Sequence, residues 1–146
     1  MSKESRWEDC MENSSSISIS PDKAKAKSLI DTALGRNQFL AGNEIIKSNA
    51  NYIFEGYYSS ALELLHAILL LHGYKVGNHI CLGYYLRDIL KNDKLYRRFD
   101  DCRFKRNSLI YYGKKMDFEI AKDAIEKCNH LMQELTTILN KEMKKN

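Results

Sequence analysis

Residues 52–73 read Tyr52-Ile53-Phe54-Glu55-Gly56-Tyr57-Tyr58-Ser59-Ser60-Ala61-Leu62-Glu63-Leu64-Leu65-His66-Ala67-Ile68-Leu69-Leu70-Leu71-His72-Gly73. Phe54, Tyr57, Tyr58, Ala61, Leu62, Leu64, Leu65, Ile68 and Leu69 fall nearly all round a helical projection, so the segment predicts a helix packed by neighbours on several sides. A helix of that kind requires a bundle around it. Its most apolar part, Ala61 to Leu71, is interrupted by Glu63 and His66. It is far shorter than the roughly 20 residues that cross a bilayer, and no membrane span is expected.

Toward the N-terminus, Ser20 can cap a helix with Pro21 at its first position, where no N–H is missed. Ala26, Leu29, Ile30, Ala33, Leu34, Leu40, Ala41 and Ile45 keep helical spacing, with a bend or break expected near Gly35. Asn49 to Asn51 mark a short connection into the central helix. Beyond Gly73, Asn78 can cap a shorter helix through Leu90, and Asn92 or Asp93 can start another that reaches Tyr112 and ends at Gly113. Asp117 then caps a final helix in which Phe118, Ala121, Ala124 or Ile125, Cys128, Leu131 or Met132, Leu135 and Ile138 recur at three and four. No strand pattern is seen. The expectation is an all-α, up-and-down bundle of four or five helices over residues 20–146. Residues 1–19, polar and rich in serine, are expected to form a flexible tail.

A chain of 146 residues fits one domain. With 44% hydrophobic and 29% charged residues, one Pro and seven Gly, its composition excludes a disordered chain, a collagen-like repeat and a turn-rich β-sandwich. Glu4, Glu8 and Asp9 without a continuous apolar segment do not make a signal peptide, so a cytoplasmic location is expected. Cys10, Cys81, Cys102 and Cys128 are scattered without metal-finger spacing; buried free thiols are expected, with no metal and no cofactor.

The net charge of +4 is unevenly spread: Lys91 to Lys115 contain nine basic residues against three acidic ones. Such a segment suits either a phosphate-facing surface or a solvated helix face. At about 100° per residue, Leu95, Phe99, Cys102, Leu109 and Ile110 form an apolar stripe with Arg106 near its middle. A guanidinium there must meet a carboxylate, with Glu55 and Glu63 the candidates on the central helix, or reach backbone carbonyls, or face a cleft that admits an anion. Arg103, Asn107, Tyr111 and Lys114 fall on an adjoining face and suit phosphate or ribose.

The run Arg106-Asn107-Ser108-Leu109-Ile110-Tyr111-Tyr112-Gly113, late in a helix and before the last one, resembles the Arg-Asn-x-x-x-His signature of HEPN domains (higher eukaryotes and prokaryotes nucleotide-binding). Tyr57 to Tyr74 is similar to that family's second helix, and together the likeness spans roughly residues 22–140. The resemblance implies a helical bundle, commonly dimeric, with the motif helices of two subunits facing across a cleft. Many relatives are metal-independent ribonucleases, often toxins neutralised by a nucleotidyltransferase-type antitoxin; others bind nucleotides or RNA without cleaving them. Arg106 matches the arginine that acts at the scissile phosphate, and Asn107 the polar residue that orients it. Tyr111 stands where the pattern has histidine, and Gly113 where it has the tyrosine that the antitoxin modifies. A tyrosine near 10 is a poor base at neutral pH, although it can donate a hydrogen bond, stack on a base or position a phosphate.

The other histidines offer no spacing to Arg106 that the sequence can test. His66 is expected as a hydrogen-bonded core residue, His72 and His79 flank the Gly73–Gly77 connection, and His130 lies in the last helix. The first expectation is therefore an RNA- or nucleotide-binding module, non-catalytic or weakly active and paired with a nucleotidyltransferase-type partner, with Arg103, Arg106, Asn107, Tyr111 and Lys114 at the ligand. The alternatives are a metal-independent endoribonuclease using Arg106 with Asn107 and Tyr111, and a structural module that dimerises or binds a partner protein.

Overall fold

The computed structural model describes residues 5–145. Six helices and two short strands follow in order: α1 (Trp7–Glu12), β1 (Ser16–Ser18), α2 (Lys23–Ala41), α3 (Ala50–His72), β2 (Tyr74–Val76), α4 (His79–Asp88), α5 (Asp93–Tyr112) and α6 (Phe118–Lys144). The all-α bundle expected from periodicity is the fold, and no helix among the described residues is long and apolar enough to cross a membrane.

α3 is the axis of the bundle, flanked chiefly by α2 and α6. Phe54, Tyr58, Ala61, Leu65, Ala67, Ile68 and Leu69 are fully buried on it, which is why its apolar residues run all round. Each large apolar side chain so placed stabilises the fold by about 1.5–3 kcal/mol. α2 approaches closely at Gly56, where an added Cβ would stand 2.8 Å from Leu40 Cδ1. α3 ends at Gly73, whose φ of 88° is the left-handed conformation that a helix terminus needs and glycine adopts freely. Asn78 and Asn92 cap α4 and α5, each side-chain oxygen accepting a backbone N–H in the first turn. The cap of α2 is Asp22 rather than Ser20, and the helix runs unbroken through Gly35, where an added Cβ would meet no neighbouring element within 4 Å.

Residues 5–19 differ from the expected tail, of which residues 1–4 lie outside the described residues. Trp7 and Cys10 are buried, and the Trp7 ring meets Tyr74 and Tyr85 edge-on at centroid distances of 5.4 and 5.0 Å. The Trp7 backbone N–H donates to Asp88 Oδ2 at 2.8 Å, and Cys10 is joined to Cys81 by a disulfide. β1 pairs antiparallel with β2, Ser16 opposite Val76 and Ser18 opposite Tyr74. A segment too short and polar to show a period is held by one tryptophan, one covalent bond and a three-residue ladder. Cys102 and Cys128 are the free, buried thiols; Cys10 and Cys81 are not free.

Candidate functional site

α5 buries Leu95, Phe99, Cys102 and Leu109 along one stripe, while Ile110 is partly exposed. Arg106 lies on that stripe, so the helix turns its guanidinium toward the bundle. Glu63 is taken by Arg36, which also donates to Ser60 Oγ at 3.1 Å. Among the described residues Arg106 has no carboxylate at ion-pair distance, from Glu55 or any other. Its charge sits between two rings instead, 5.7 Å from the Tyr58 centroid and 5.8 Å from that of Tyr111. Tyr58 is itself stacked on Phe99 at 6.2 Å and 12°. Aromatic faces stabilise a cation by about 0.5–1 kcal/mol each at partly exposed sites and leave its N–H donors unspent.

Beside Arg106 opens a cavity of about 320 Å³ lined by Gly77, Asn78, His79, Ile80, Arg103, Asn107 and Tyr111. It lies where the first turn of α4 meets the second half of α5. Arg103 donates from Nε to Asp100 Oδ1 at 3.0 Å, so its charge is partly offset, whereas Asn107 makes no side-chain hydrogen bond among the described residues. Burial, with the charges of Arg106 and Arg103, holds His79 below the usual histidine value. His79 therefore stays neutral at pH 7. Its Nδ1 stands 3.4 Å from the Tyr58 hydroxyl, which burial keeps protonated. If that hydroxyl donates to Nδ1, the other ring nitrogen carries a proton to offer; in the opposite tautomer it can accept one.

Of the five residues expected at a ligand, Arg103, Asn107 and Tyr111 line one cavity, and Arg106 does not line it but stands against the Tyr111 ring that does. Lys114 is not brought in: it is exposed beyond Gly113, and its backbone N–H ends the helix on Ser108 O at 3.0 Å. The loop from Gly113 to Asp117 is clamped by Asn51, whose amide donates to Met116 O at 3.0 Å and accepts the Met116 N–H at 2.8 Å. His79 is the residue that spacing along the chain did not reveal. Asn78 as a helix cap marked where α4 begins, but only the packing of α4 on α5 sets His79 against the arginines.

No family model, curated protein or solved structure matches this chain. What the cavity can do rests on its own residues: Arg103 and Asn107 suit a phosphate and the polar edge of a nucleotide, the Arg106 charge stands behind the Tyr111 ring, and that ring, 68% exposed, suits stacking against a base.

Proposed function

We propose that this chain is a HEPN-like module that binds RNA or nucleotides, with the phosphate held by Arg106 and Arg103 and the nucleoside by Asn107 and Tyr111. The observation that carries this reading is the Arg106 guanidinium, set against the Tyr58 and Tyr111 rings where Tyr111 lines an open cavity, with no carboxylate at ion-pair distance among the described residues. A charge withdrawn from water without an ionic partner is costly to the fold, and an anion supplied from outside offsets that cost. Phe104, Tyr111 and Tyr112 on α5 are 69%, 68% and 81% exposed, which supports pairing of this helix with a second copy or with a nucleotidyltransferase-type partner. Fluorescence anisotropy with labelled RNA at low ionic strength tests the reading. Binding that weakens with salt and is lost in Arg106→Ala is the expected result, and a wild-type protein that binds neither RNA nor nucleotide rejects it.

One observation favours a second reading, a metal-independent endoribonuclease. His79, neutral and facing the same cavity as Arg103, supplies the proton-transfer chemistry that tyrosine at position 111 lacks. Cleavage that persists in chelator and disappears in both Arg106→Ala and His79→Ala would establish it over simple binding.

A further inference from the structure

A second cavity, of about 250 Å³, lies between α2, α3 and β2, with Lys25, His66 and Lys75 among its lining residues. His66 differs from the hydrogen-bonded core histidine expected from its place in α3. It is mostly withdrawn from solvent yet has no hydrogen-bond partner among the described residues. Burial, followed by the charges of His79 and Lys25, keeps it below the usual histidine value, so it faces the cavity as a neutral ring with one N–H to donate. Lys25 and Lys75 have no carboxylate at ion-pair distance among the described residues. Three cationic or donor groups from three separate elements thus converge on one opening without an internal acceptor.

This cavity and the Arg106 pocket are neighbours along a single stretch of backbone. Lys75 and Val76 line the first, and the residues that follow them, Gly77 to Ile80, line the second. Four residues of chain place the Lys75 and His79 backbones within about 14 Å at full extension, a span of only a few nucleotides. A mononucleotide has a phosphate for one opening only, whereas a strand presents phosphates to both. Leu29, Leu70 and Val76 give the second opening an apolar floor against which a sugar or base edge can lie.

We propose that Lys25, His66 and Lys75 form a second phosphate subsite continuous with the Arg106 pocket, and that the ligand is a single-stranded oligonucleotide laid over the turn between β2 and α4. This rests on the reading of the Arg106 pocket as a nucleotide site. It goes further by naming the ligand as a strand and giving its path.

The test uses the full chain, 5′-labelled hexauridylate, and UMP as competitor. With Lys25, Lys75, Arg103 and Arg106 each neutralising one phosphate, the plot of log affinity against log salt should have a slope of about −2.8, falling to about −1.4 in the Lys25→Ala, Lys75→Ala double variant. The double variant should also lose at least tenfold in hexauridylate affinity at low salt while retaining wild-type affinity for UMP. Hexauridylate binding and slope unchanged in the double variant but abolished by Arg106→Ala would overturn the second subsite and leave the first reading standing. An equal loss for UMP and hexauridylate would also overturn it, because the lysines would then act only through the general field. Wild-type protein that binds neither ligand would reject the first reading, and the subsite with it.

Discussion

The Arg106 guanidinium carbon stands 5.7 Å from the centre of the Tyr58 ring, and Tyr58 is fully buried. The contact is a cation on the rim of an aromatic core: α5 carries the charge inward as far as the last ring of the stack and stops where the cavity opens. The bundle bears a partly desolvated charge that no carboxylate among the described residues offsets at ion-pair distance. Stability and binding should therefore respond differently to its removal.

Arg106→Met keeps the apolar stem and removes the charge. Loss of a charge-assisted contact should weaken RNA binding by about 1.5–3 kcal/mol, roughly ten- to a hundredfold. Two weak ring contacts are lost and one desolvated cation is relieved, so urea unfolding should shift by no more than about 1 kcal/mol in either direction. A stability loss beyond about 3 kcal/mol would make Arg106 a structural residue instead.

Cys10 and Cys81 are 71 residues apart in sequence, and their bond closes most of the N-terminal half of the chain into a loop. Chain-entropy arguments give about 4 kcal/mol for a loop of that length. Thiol titration in denaturant without reductant should find two thiols per chain, those of Cys102 and Cys128, which should resist alkylation while the protein is folded. Four titratable thiols would contradict the pairing. The Cys10→Ser, Cys81→Ser double variant should unfold at lower urea.

Asn51 is buried and spends its whole amide on the Met116 backbone. Asn51→Ala leaves both Met116 groups without their partner, at a cost of about 1–3 kcal/mol in urea unfolding. Hydrogen exchange should show faster opening confined first to residues 113–117.

His66 and His79 both titrate below their usual value near 6.5 in the folded chain. The unfolded chain then takes up more protons, so the stability tied to their neutral forms is complete above about pH 6.5 and is lost as pH falls through the folded values. Thermal melts should drop between pH 7.5 and pH 5, and the drop should shrink in the His66→Gln, His79→Gln double variant. Asp88 stays out of this window. The Arg87 hydrogen bond holds it below its usual 3.8, and the stability it contributes is lost only at more acid pH. A drop of the same size in the double variant would assign the effect to other groups.

Much of the bundle was legible in advance because its signals are local. Asn78, Asn92 and Gly113 sit within a residue of real helix ends, since capping depends only on side chains and backbone a turn apart. The N-terminal strap was not legible: Trp7, Cys10 and Ser16 to Ser18 are held by Tyr85, Cys81 and Val76, partners some 60 to 80 positions away that no period announces. The site was half legible. One face of α5 collects Arg103, Asn107 and Tyr111 by angle alone, but His79 reaches the cavity from α4.

By itself the sequence determined the four longer helices and the short α4, the ends of α4 and α5, the enclosed position of α3 and the fact that Arg106 must point inward, because each follows from a repeat of 3.6 residues and from groups a turn apart. Only the tertiary structure decided which carboxylate goes to which guanidinium. Glu63 faces Arg36 across the contact of α2 with α3, and no acid among the described residues stands at ion-pair distance from Arg106. Pairing of charges is a matter of distance between elements, and a sequence carries the angular position of a side chain on its own helix but not the separation of two helices.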